Sequence, residues 1–482
     1  MLPVIHVLGS MLMMFSVTYL LPIATALIYA DGHFVDFIVA AVACLAAGVL
    51  LWAATRRHKR ELRSRDGFVL VTLGWILMSA IATVPLLIAI PGLTFTDAFF
   101  ETMSGLSTTG ATVLVGLDYL PASINLWRHA LNWYGGMGII VLVVAILPLL
   151  GVGGMQVYKA ETPGPMKDEK LTPRITQTAR ALWFIYFMIT AACIASLRLT
   201  GMNWFDAICH AFAALSLGGF STYDASVGHF DSPAIEAVLI VFMLIAAMNF
   251  SRHFIAWQQK SLRTYLGDVE ARSMLLIIGL STAGLALLIW FEGVYPSLWT
   301  ALRHVAFNLV SIATDCGFVS QDYAAWPMFA PMWILMLSCY CANTGSTGGG
   351  IKMFRTLVLF QQAGRELQLL VHPQAVAPVR VGGQVVQNRI VFAVLAFVVL
   401  YFGTVVVLTF ALLLSGLDFL TAFSAIIACI NNAGPGLGLV GPAGNFQGLT
   451  DFQTWICSLA MLVGRLEIFS VLVLFTPTLW RK

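Results

Sequence analysis

The chain has 482 residues, of which 59% are hydrophobic and 10% are charged, and its formal net charge at pH 7 is +3. A soluble domain is typically about 45–50% apolar and about 25% charged, so this composition argues against a soluble enzyme and against a disordered protein. A membrane-spanning helix needs about 20 mostly apolar residues, so a chain of this length can hold roughly ten to twelve spans. We therefore expect an integral membrane protein that crosses the bilayer many times.

Ten apolar runs of spanning length follow one another along the chain. The first has no basic segment before it and is too long for the apolar part of a signal peptide, so we interpret it as a retained span. The eighth is interrupted and continues after a break. The runs cover residues 3–30, 34–55, 67–92, 124–150, 180–200, 233–257, 273–295, 326–340, 389–415 and 452–479.

Basic residues are concentrated between alternate pairs of these runs. Of the 26 lysines and arginines, all but Arg128, Arg198, Arg303 and Arg465 lie in such segments or in the C-terminal tail. Connections rich in Lys and Arg face the cytoplasm in most multi-span proteins. The charge distribution therefore predicts that both termini are cytoplasmic.

Four shorter apolar segments lie on the predicted outer side. They are too apolar for loops and too short to span, which is typical of re-entrant half-helices. The segments are residues 95–107, 203–216, 298–313 and 418–430. Each is followed by a turn rich in glycine and in hydroxyl or amide side chains, and the central glycines are Gly110, Gly219, Gly317 and Gly434.

A unit of span, half-helix, glycine turn and span therefore occurs four times. We predict an all-α integral membrane protein in which four pseudo-repeats of helix, re-entrant pore helix with filter loop, and helix surround one pore. Two extra transmembrane helices precede the repeats. The predicted boundaries are 1–66 for this preamble and 67–155, 176–260, 270–365 and 386–482 for the repeats, the third of which contains the broken second helix.

This arrangement suits ion conduction. Backbone without regular hydrogen bonds is tolerated at membrane depth only inside protein or along a wet cavity. Glycine readily adopts left-handed dihedral angles, so four such turns can direct carbonyl oxygens at a common axis and replace the hydration shell of a cation. The half-helices direct the negative ends of their dipoles toward the same place. Asp97, Asp206 and Asp418 lie near the opposite ends, where we expect them to cap the helices or interact with their dipoles rather than attract ions.

Four motifs resemble those of the Trk/Ktr/HKT superfamily of potassium transporters, and in particular its bacterial TrkH branch. They are WRHALNWYGGMG (127–138), CANTGSTGGGIK (341–352), GRELQLLVHP (364–373) and NNAGPGLG (431–438). The resemblance covers essentially the whole chain. It implies a potassium-conducting membrane subunit rather than an enzyme, with one pore per chain, a homodimeric assembly and a location in the bacterial inner membrane.

The resemblance also implies a selectivity filter made mainly of backbone carbonyls. In some plant members of this superfamily a serine at the first filter glycine goes with sodium transport, so the resemblance and Gly110 together favour potassium. The third turn departs from the more usual Thr-Thr-Gly because it carries Asp315 and Cys316. The Asp315 carboxylate could strengthen the field on the cation, or it could turn away and bond backbone amides behind the filter. The implied filter residues are Thr108, Thr109, Gly110, Leu217, Gly218, Gly219, Asp315, Cys316, Gly317, Asn432, Ala433 and Gly434.

The break in the eighth run is the predicted gate. Each glycine costs a helix about 1 kcal/mol relative to alanine, so three in succession unwind it. In the superfamily such a loop obstructs the pore below the filter, and an arginine in the last span forms a barrier beside it. An arginine inside a span costs about 2.5–3.5 kcal/mol, so it faces a cavity or a partner, or bonds nearby carbonyls. The implied gate residues are Asn343, Gly345, Ser346, Thr347, Gly348, Gly349, Gly350 and Arg465.

Residues 352–390 form the longest polar segment, in which 361–370 reads as an amphipathic helix. The segment is either a solvated connector or, as the resemblance implies, a dock for a cytosolic nucleotide-binding ring similar to TrkA. K⁺ would be the transported ion, and we expect membrane lipids as partners, no organic cofactor in this chain and no nucleic acid.

Several other functions remain open from the residues alone. A sodium- or proton-coupled cation symporter of the same fold is the main alternative. An intramembrane enzyme could use Ser107 or Cys316 with His129, His210 or His304, although no nucleophile-to-base spacing recurs and a structural role suits these histidines better. A non-conducting subunit is a further alternative, against which the four intact glycine turns argue.

Overall fold

The helices of the chain follow the predicted order of spans and half-helices. The computed structural model describes residues 2–57, 64–141, 175–261 and 263–480, so the end of the predicted span 124–150 and part of the basic clusters lie outside the described residues. The helices are α1 (Leu2–Phe15), α2 (Leu20–Tyr29), α3 (Phe34–Thr55), α4 (Ser64–Ala82), α5 (Val84–Ala89), α6 (Phe95–Leu106), α7 (Ala122–Val141), α8 (Ile175–Leu199), α9 (Trp204–Ser216), α10 (Pro233–Ala246), α11 (Phe250–Gln259), α12 (Arg263–Leu266), α13 (Val269–Phe291), α14 (Leu298–Ala313), α15 (Phe329–Ser338), α16 (Met353–Val371), α17 (Asn388–Leu414), α18 (Phe419–Asn431), α19 (Asp451–Arg465), α20 (Ile468–Leu472) and α21 (Pro477–Trp480).

The predicted all-α membrane class is confirmed. Within the described ranges, six helical stretches are long and apolar enough to cross a membrane, and two bent helix pairs raise that number to eight. The other two predicted spans correspond to α7 and to α15, which ends at the predicted break.

Two predicted spans are wrong as continuous helices. The run 233–257 is divided into α10 and α11, which meet at 95°, and the run 452–479 bends by 113° after α19. At the second bend Glu467 has a left-handed backbone with φ of 56°, which ends the helix. Arg465 therefore lies at the end of a helix beside a bend, not in the middle of a span.

The four predicted half-helices are present as α6, α9, α14 and α18, within one residue of the predicted bounds. Each begins with a side chain that accepts a backbone amide of its first turn, which stabilises a helix N-terminus. The capping residues are Thr94, Asn203, Ser297 and Asp418. Asp97 and Asp206 lie in the first turn, where a carboxylate also suits the helix dipole. Asp418 is therefore a cap, whereas Asp97 and Asp206 lie in the first turn of helices that are capped by Thr94 and Asn203.

The preamble helices α1 and α3 pack closely and cover the first repeat. A Cβ atom on Gly9 or on Gly48 would lie 2.8 Å from the carbonyl oxygen of the other, so the two backbones are in contact. Small residues permit such close approach between helices in membranes. The Tyr19 ring, between α1 and α2, stacks on Trp127 of α7 with 4.5 Å between ring centroids.

A small separate core lies at the end of the molecule opposite the half-helix N-termini. Strands β1 (Arg380–Val381) and β2 (Gln384–Val385) form an antiparallel hairpin whose turn glycines both have positive φ. The hairpin region packs on α16 and α17 through a cluster of valines with one phenylalanine. Its buried members are Phe354, Val358, Val379, Val386, Val391 and Val394. We call this end of the molecule the hairpin end.

Candidate ion pathway

The four glycine turns have the same backbone conformation although their side chains differ. The residue two places before each central glycine is left-handed, with φ of 55° at Thr108, 54° at Leu217, 66° at Asp315 and 57° at Asn432. The next residue donates its amide to a carbonyl five residues earlier at 2.8 Å in all four cases. The central glycines then have φ between 63° and 92°. The repeat recognised in the sequence is therefore a repeat of backbone geometry.

The four turns form a closed ring in chain order. A Cβ atom on Gly110 would overlap the carbonyl oxygen of Gly218, and one on Gly219 would overlap that of Cys316. One on Gly317 would lie 2.6 Å from the oxygen of Ala433. The fourth contact closes the ring, because a Cβ on Gly434 would lie 2.8 Å from the oxygen of Thr109. The structure thus brings all twelve predicted filter residues together around one axis.

A cavity opens above the ring on the side away from the hairpin end. All four central glycines line it, together with Arg128 of α7. The Arg128 guanidinium lies 4.4 Å from the centroid of the Phe220 ring, and its Nε donates to Glu101 at 2.7 Å. Both members of this ion pair are buried. The carboxylate therefore compensates a buried positive charge beside the cavity.

Glu101 also holds the first turn in place. Its carboxylate accepts the Thr112 hydroxyl and, at 3.1 Å, the backbone amide of Val113, which lie just after the central glycine. The other half-helices each provide a comparable anchor. His210 contacts the Ser221 hydroxyl at 3.0 Å. Asn308 accepts the Ser320 amide, and Ser424 accepts the Leu437 amide.

Sequence reasoning missed three of these four anchors. The three are Glu101, Asn308 and Ser424. A signal was present for two of them, because Glu101 and Asn308, like His210, each lie nine positions before their central glycine on a mostly apolar half-helix. His210 was expected to be structural, and its contact confirms this. His129 likewise contacts the backbone oxygens of Asn125 and Phe220, at 2.7 and 3.1 Å.

The broken loop lies on the hairpin side of the ring. It is closed at its base by two backbone bonds, from Ile351 to Cys339 at 2.7 Å and from Met353 to Ala342 at 2.8 Å. Gly350 has φ of 70°, and a Cβ there would lie 2.8 Å from the Cys339 oxygen, so the position requires glycine. All the predicted gate residues of the loop lie together in this structure.

The loop explains the bend between α10 and α11. The amide of Asn343 donates to Ala247 at 3.1 Å, and the amide of Phe250 donates to Gly345 at 3.1 Å. Backbone groups at the bend therefore bond the loop instead of continuing the helix. A third bond comes from α13, where the Glu270 carboxylate accepts the amide of Thr344 at 2.9 Å.

The middle of the loop contacts the C-terminal ends of three half-helices. The Thr347 hydroxyl donates to Leu215 of α9 at 3.2 Å. The Gly349 amide donates to Asp315 Oδ2, just after α14, at 3.0 Å. A Cβ on Gly349 would overlap the backbone oxygen of Asn431 in α18. The sequence left two alternatives for Asp315, a carboxylate that faces the cation or one that bonds a backbone amide. In this structure the carboxylate bonds a backbone amide, and that amide belongs to the broken loop.

Arg465 joins the loop to the first repeat. It is buried, and its guanidinium donates to the Thr347 oxygen at 2.7 Å and to the Gly135 oxygen of α7 at 3.1 Å. Just beyond it, Glu467 pairs with Arg355 at 2.8 Å and with Lys352 at 3.6 Å. The bend after α19 is thus tied both to the loop and to the start of α16.

The comparisons with known proteins agree with this geometry. Residues 33–482 match the family model TrkH, described as a cation transport protein. The chain belongs to the TrkH family of cation transport proteins. It is 48% identical over 482 residues to the Trk system potassium uptake protein TrkH of Vibrio parahaemolyticus, covering 99% of both chains. It is 46% identical over 478 residues to the protein of that name from Salmonella typhimurium, again covering 99% of both.

A crystal structure supports the fold of this TrkH-family chain. The potassium transporter TrkH from Vibrio parahaemolyticus superimposes with a TM-score of 0.92 at 45% identity, covering 100% of this chain and 99% of that chain. TrkG of Escherichia coli, also named a Trk system potassium uptake protein, is 41% identical over 482 residues. The resemblance to the TrkH branch and the predicted four-repeat membrane fold are confirmed.

Proposed function

We propose that the chain is the membrane subunit of a potassium uptake system and conducts K⁺ through the ring of four glycine turns. The observation that carries this proposal is the closure of the ring in chain order by turns of identical backbone conformation. Rings of carbonyl oxygens replace the hydration shell of a permeating cation. The names of the relatives and glycine at position 110 favour potassium as that cation.

The broken loop is the gate in this proposal. It lies across the C-terminal ends of α9, α14 and α18, where an ion leaving the ring would pass. The Arg465 guanidinium holds the loop by the oxygen of Thr347 and places a positive charge beside the same path. Conduction then requires the loop and Arg465 to move together.

The hairpin end is cytoplasmic in this proposal, with both termini inside, since most Lys and Arg residues lie between alternate spans. Helix α16 there presents Phe360, Leu367 and Leu370, which are 74%, 66% and 80% exposed. This apolar face is where we place the cytosolic nucleotide-binding ring similar to TrkA. The bond from α16 through Glu467 to the bend beside Arg465 would carry its movement to the gate. Assembly as a homodimer in the bacterial inner membrane completes the proposal.

The test of the proposed function is growth rescue of a bacterium that lacks potassium uptake, at low external K⁺. The wild-type chain, with a regulatory ring, should restore growth. Gly434→Ser should not, because φ is 87° there and a Cβ would lie 2.8 Å from the Thr109 oxygen. A wild-type chain that inserts in the membrane and fails to rescue, with and without the ring, contradicts the proposal. Rescue that depends on a sodium or proton gradient would favour the symporter.

The ion pair at the mouth of the pathway yields a further prediction. Glu101→Gln should strongly reduce K⁺ uptake and lower the K⁺/Na⁺ selectivity. The change leaves Arg128 uncompensated above the ring, and breaking a buried pair costs about 3–5 kcal/mol. Uptake of K⁺ and Na⁺ by proteoliposomes measures both effects.

Asp97→Asn is the matched control for Glu101→Gln. Asp97 lies on the same half-helix, but its carboxylate contacts the exposed Thr94 cap and not the turn. Uptake should remain close to wild type in this control. If Glu101→Gln also retained wild-type rates and selectivity, the anchor role of Glu101 would be wrong.

A further inference from the structure

Three buried side-chain oxygens at the hairpin side of the ring have no hydrogen-bond partner among the described residues. They are Thr108 Oγ1, Asp315 Oδ1 and Asn432 Oδ1. All three belong to the same position of the repeat, two residues before the central glycine, with φ between 55° and 66°. Since the four turns form a ring, these three positions lie at one level around its axis. The fourth residue at this level is Leu217.

Two of these side chains face the loop that lies beneath the ring. The Gly349 amide donates to Asp315 Oδ2 at 3.0 Å, and a Cβ on Gly349 would lie 3.2 Å from Asn432 Oδ1. A Cβ on Gly348 would lie 3.2 Å from Asp315 Oδ2. The Asn432 amide nitrogen points elsewhere and donates to Thr109 and Met461. Two glycines therefore fill the space between a carboxylate and an amide oxygen.

This arrangement is costly for a purely structural role. A buried polar atom without a partner costs about 1–3 kcal/mol, and a charged one costs more. Asp315 has a fractional exposure of 0%, and a single backbone amide contacts its carboxylate among the described residues. An oxygen-rich, partly satisfied set of this kind is suited to a cation, which prefers carboxylate, hydroxyl and carbonyl ligands.

We propose that Asp315, Asn432 and Thr108 form a monovalent-cation site at the hairpin side of the ring, and that the Gly349 amide occupies the place of the cation while the loop is closed. The proposal rests on the proposed function, because the cation is the conducted ion. When the loop leaves, Asp315 loses its amide donor and the site becomes available. Ion binding and loop closure therefore exclude each other, so each lowers the apparent affinity of the other.

Glu270 provides the matched control. Its carboxylate is also buried and also accepts one amide of the same loop, that of Thr344 at 2.9 Å. It belongs to α13 and not to the ring. Glu270→Gln therefore weakens the hold on the loop without changing the oxygens of the site, whereas Asp315→Asn changes both.

The experiment compares the K⁺ dependence of open-channel current for the wild type, Asp315→Asn and Glu270→Gln in planar bilayers. Both variants should raise the open fraction. Asp315→Asn, but not Glu270→Gln, should raise the half-saturating K⁺ concentration, by about tenfold, which corresponds to 1.4 kcal/mol of binding free energy. Thr108→Ala should raise it as well, and it removes no bond to a described residue. If Asp315→Asn fails to insert in the membrane, Thr108→Ala therefore tests whether the cation site exists.

Failure of the proposed function can be distinguished from failure of the cation site alone. A wild-type chain that carries no K⁺ current would overturn the proposed function itself. A conducting wild type, with the same half-saturating K⁺ concentration in Thr108→Ala and in any inserted Asp315→Asn, would overturn only the cation site. A rise in Glu270→Gln equal to that in Asp315→Asn would also overturn it, because the loop alone would then account for the change.

Discussion

Alanine at Gly219 is expected to abolish potassium uptake while leaving the protein in the membrane. Gly219 has φ of 63°, a conformation that disfavours every L-residue with a side chain. A Cβ atom would also overlap the carbonyl oxygen of Cys316 in the next turn and lie 2.9 Å from the carbonyl carbon of Gly317. The methyl group can be accommodated only by moving the third turn away from the axis. Because each turn contacts the next, that movement opens the ring.

Gly403→Ala is the control for this change. Gly403 lies within α17, and a Cβ there would have no atom within 4 Å. The substitution should favour the helix by about 1 kcal/mol and leave transport unchanged. Flux of K⁺ and Na⁺ into proteoliposomes, at equal amounts of inserted protein, measures the effect. If Gly219→Ala transported K⁺ selectively at the wild-type rate, the ring would not be the filter.

The half-helices and glycine turns could be predicted because their signals are local. The residues that determine the backbone of a half-helix and of the glycine turn after it are consecutive in the sequence. The structure places α14 at Leu298–Ala313, the predicted bounds, and gives Gly317 the left-handed φ that the turn requires. The cap at Asp418 is similarly local, because a carboxylate beside the first turn needs no distant partner.

The bends could not be predicted, because their causes lie far away in the sequence. Nothing in the apolar run around Ala247 signals an interruption of the helix. The bend depends on bonds with Asn343 and Gly345, about a hundred residues later, which compete with the helical bonds. The hydropathy of the last run likewise continues through Glu467, whose left-handed backbone ends α19.

The partners of the charged site residues were hidden for the same reason. A carboxylate at position 315 could be read as facing either the ion or the scaffold, and only the fold brings the Gly349 amide to it. Glu101 lies on a half-helix whose other residues are mostly apolar, and its role depends on its ion pair with Arg128. The sequence pattern therefore predicts the course of the backbone more readily than it predicts which polar side chains contact each other.

Arg465→Ala is expected to raise K⁺ flux through the chain in the absence of a regulatory ring. The guanidinium donates to Thr347 in the loop at 2.7 Å and to Gly135 in α7 at 3.1 Å. Alanine removes both bonds and the positive charge beside the path. A hydrogen bond to a charged group contributes about 1.5–3 kcal/mol, so the loss of one shifts the equilibrium between closed and open loop by roughly ten- to a hundredfold.

Arg465→Lys separates the charge from the bonds. Lysine keeps the positive charge but lacks the planar fork that reaches two carbonyl groups at once. Its flux should therefore fall between those of the wild type and of alanine. A lysine variant that leaks as much as alanine would assign the barrier to the two bonds, and one as tight as the wild type would assign it to the charge. Arg303→Ala is the control, because Arg303 pairs with Glu236 and Asp231 and does not contact the loop.

The same measurement tests whether the loop and the arginine act as one gate. If Arg465 obstructs ions only by holding the loop, then weakening the loop elsewhere should change flux in the same direction, and the two changes should not add. Glu270→Gln weakens the bond to Thr344 without contact to Arg465. The double variant should then leak no more than Arg465→Ala alone, since residues that hold one element are coupled. Additive increases would indicate two independent barriers, and unchanged flux in Arg465→Ala would reject its barrier role.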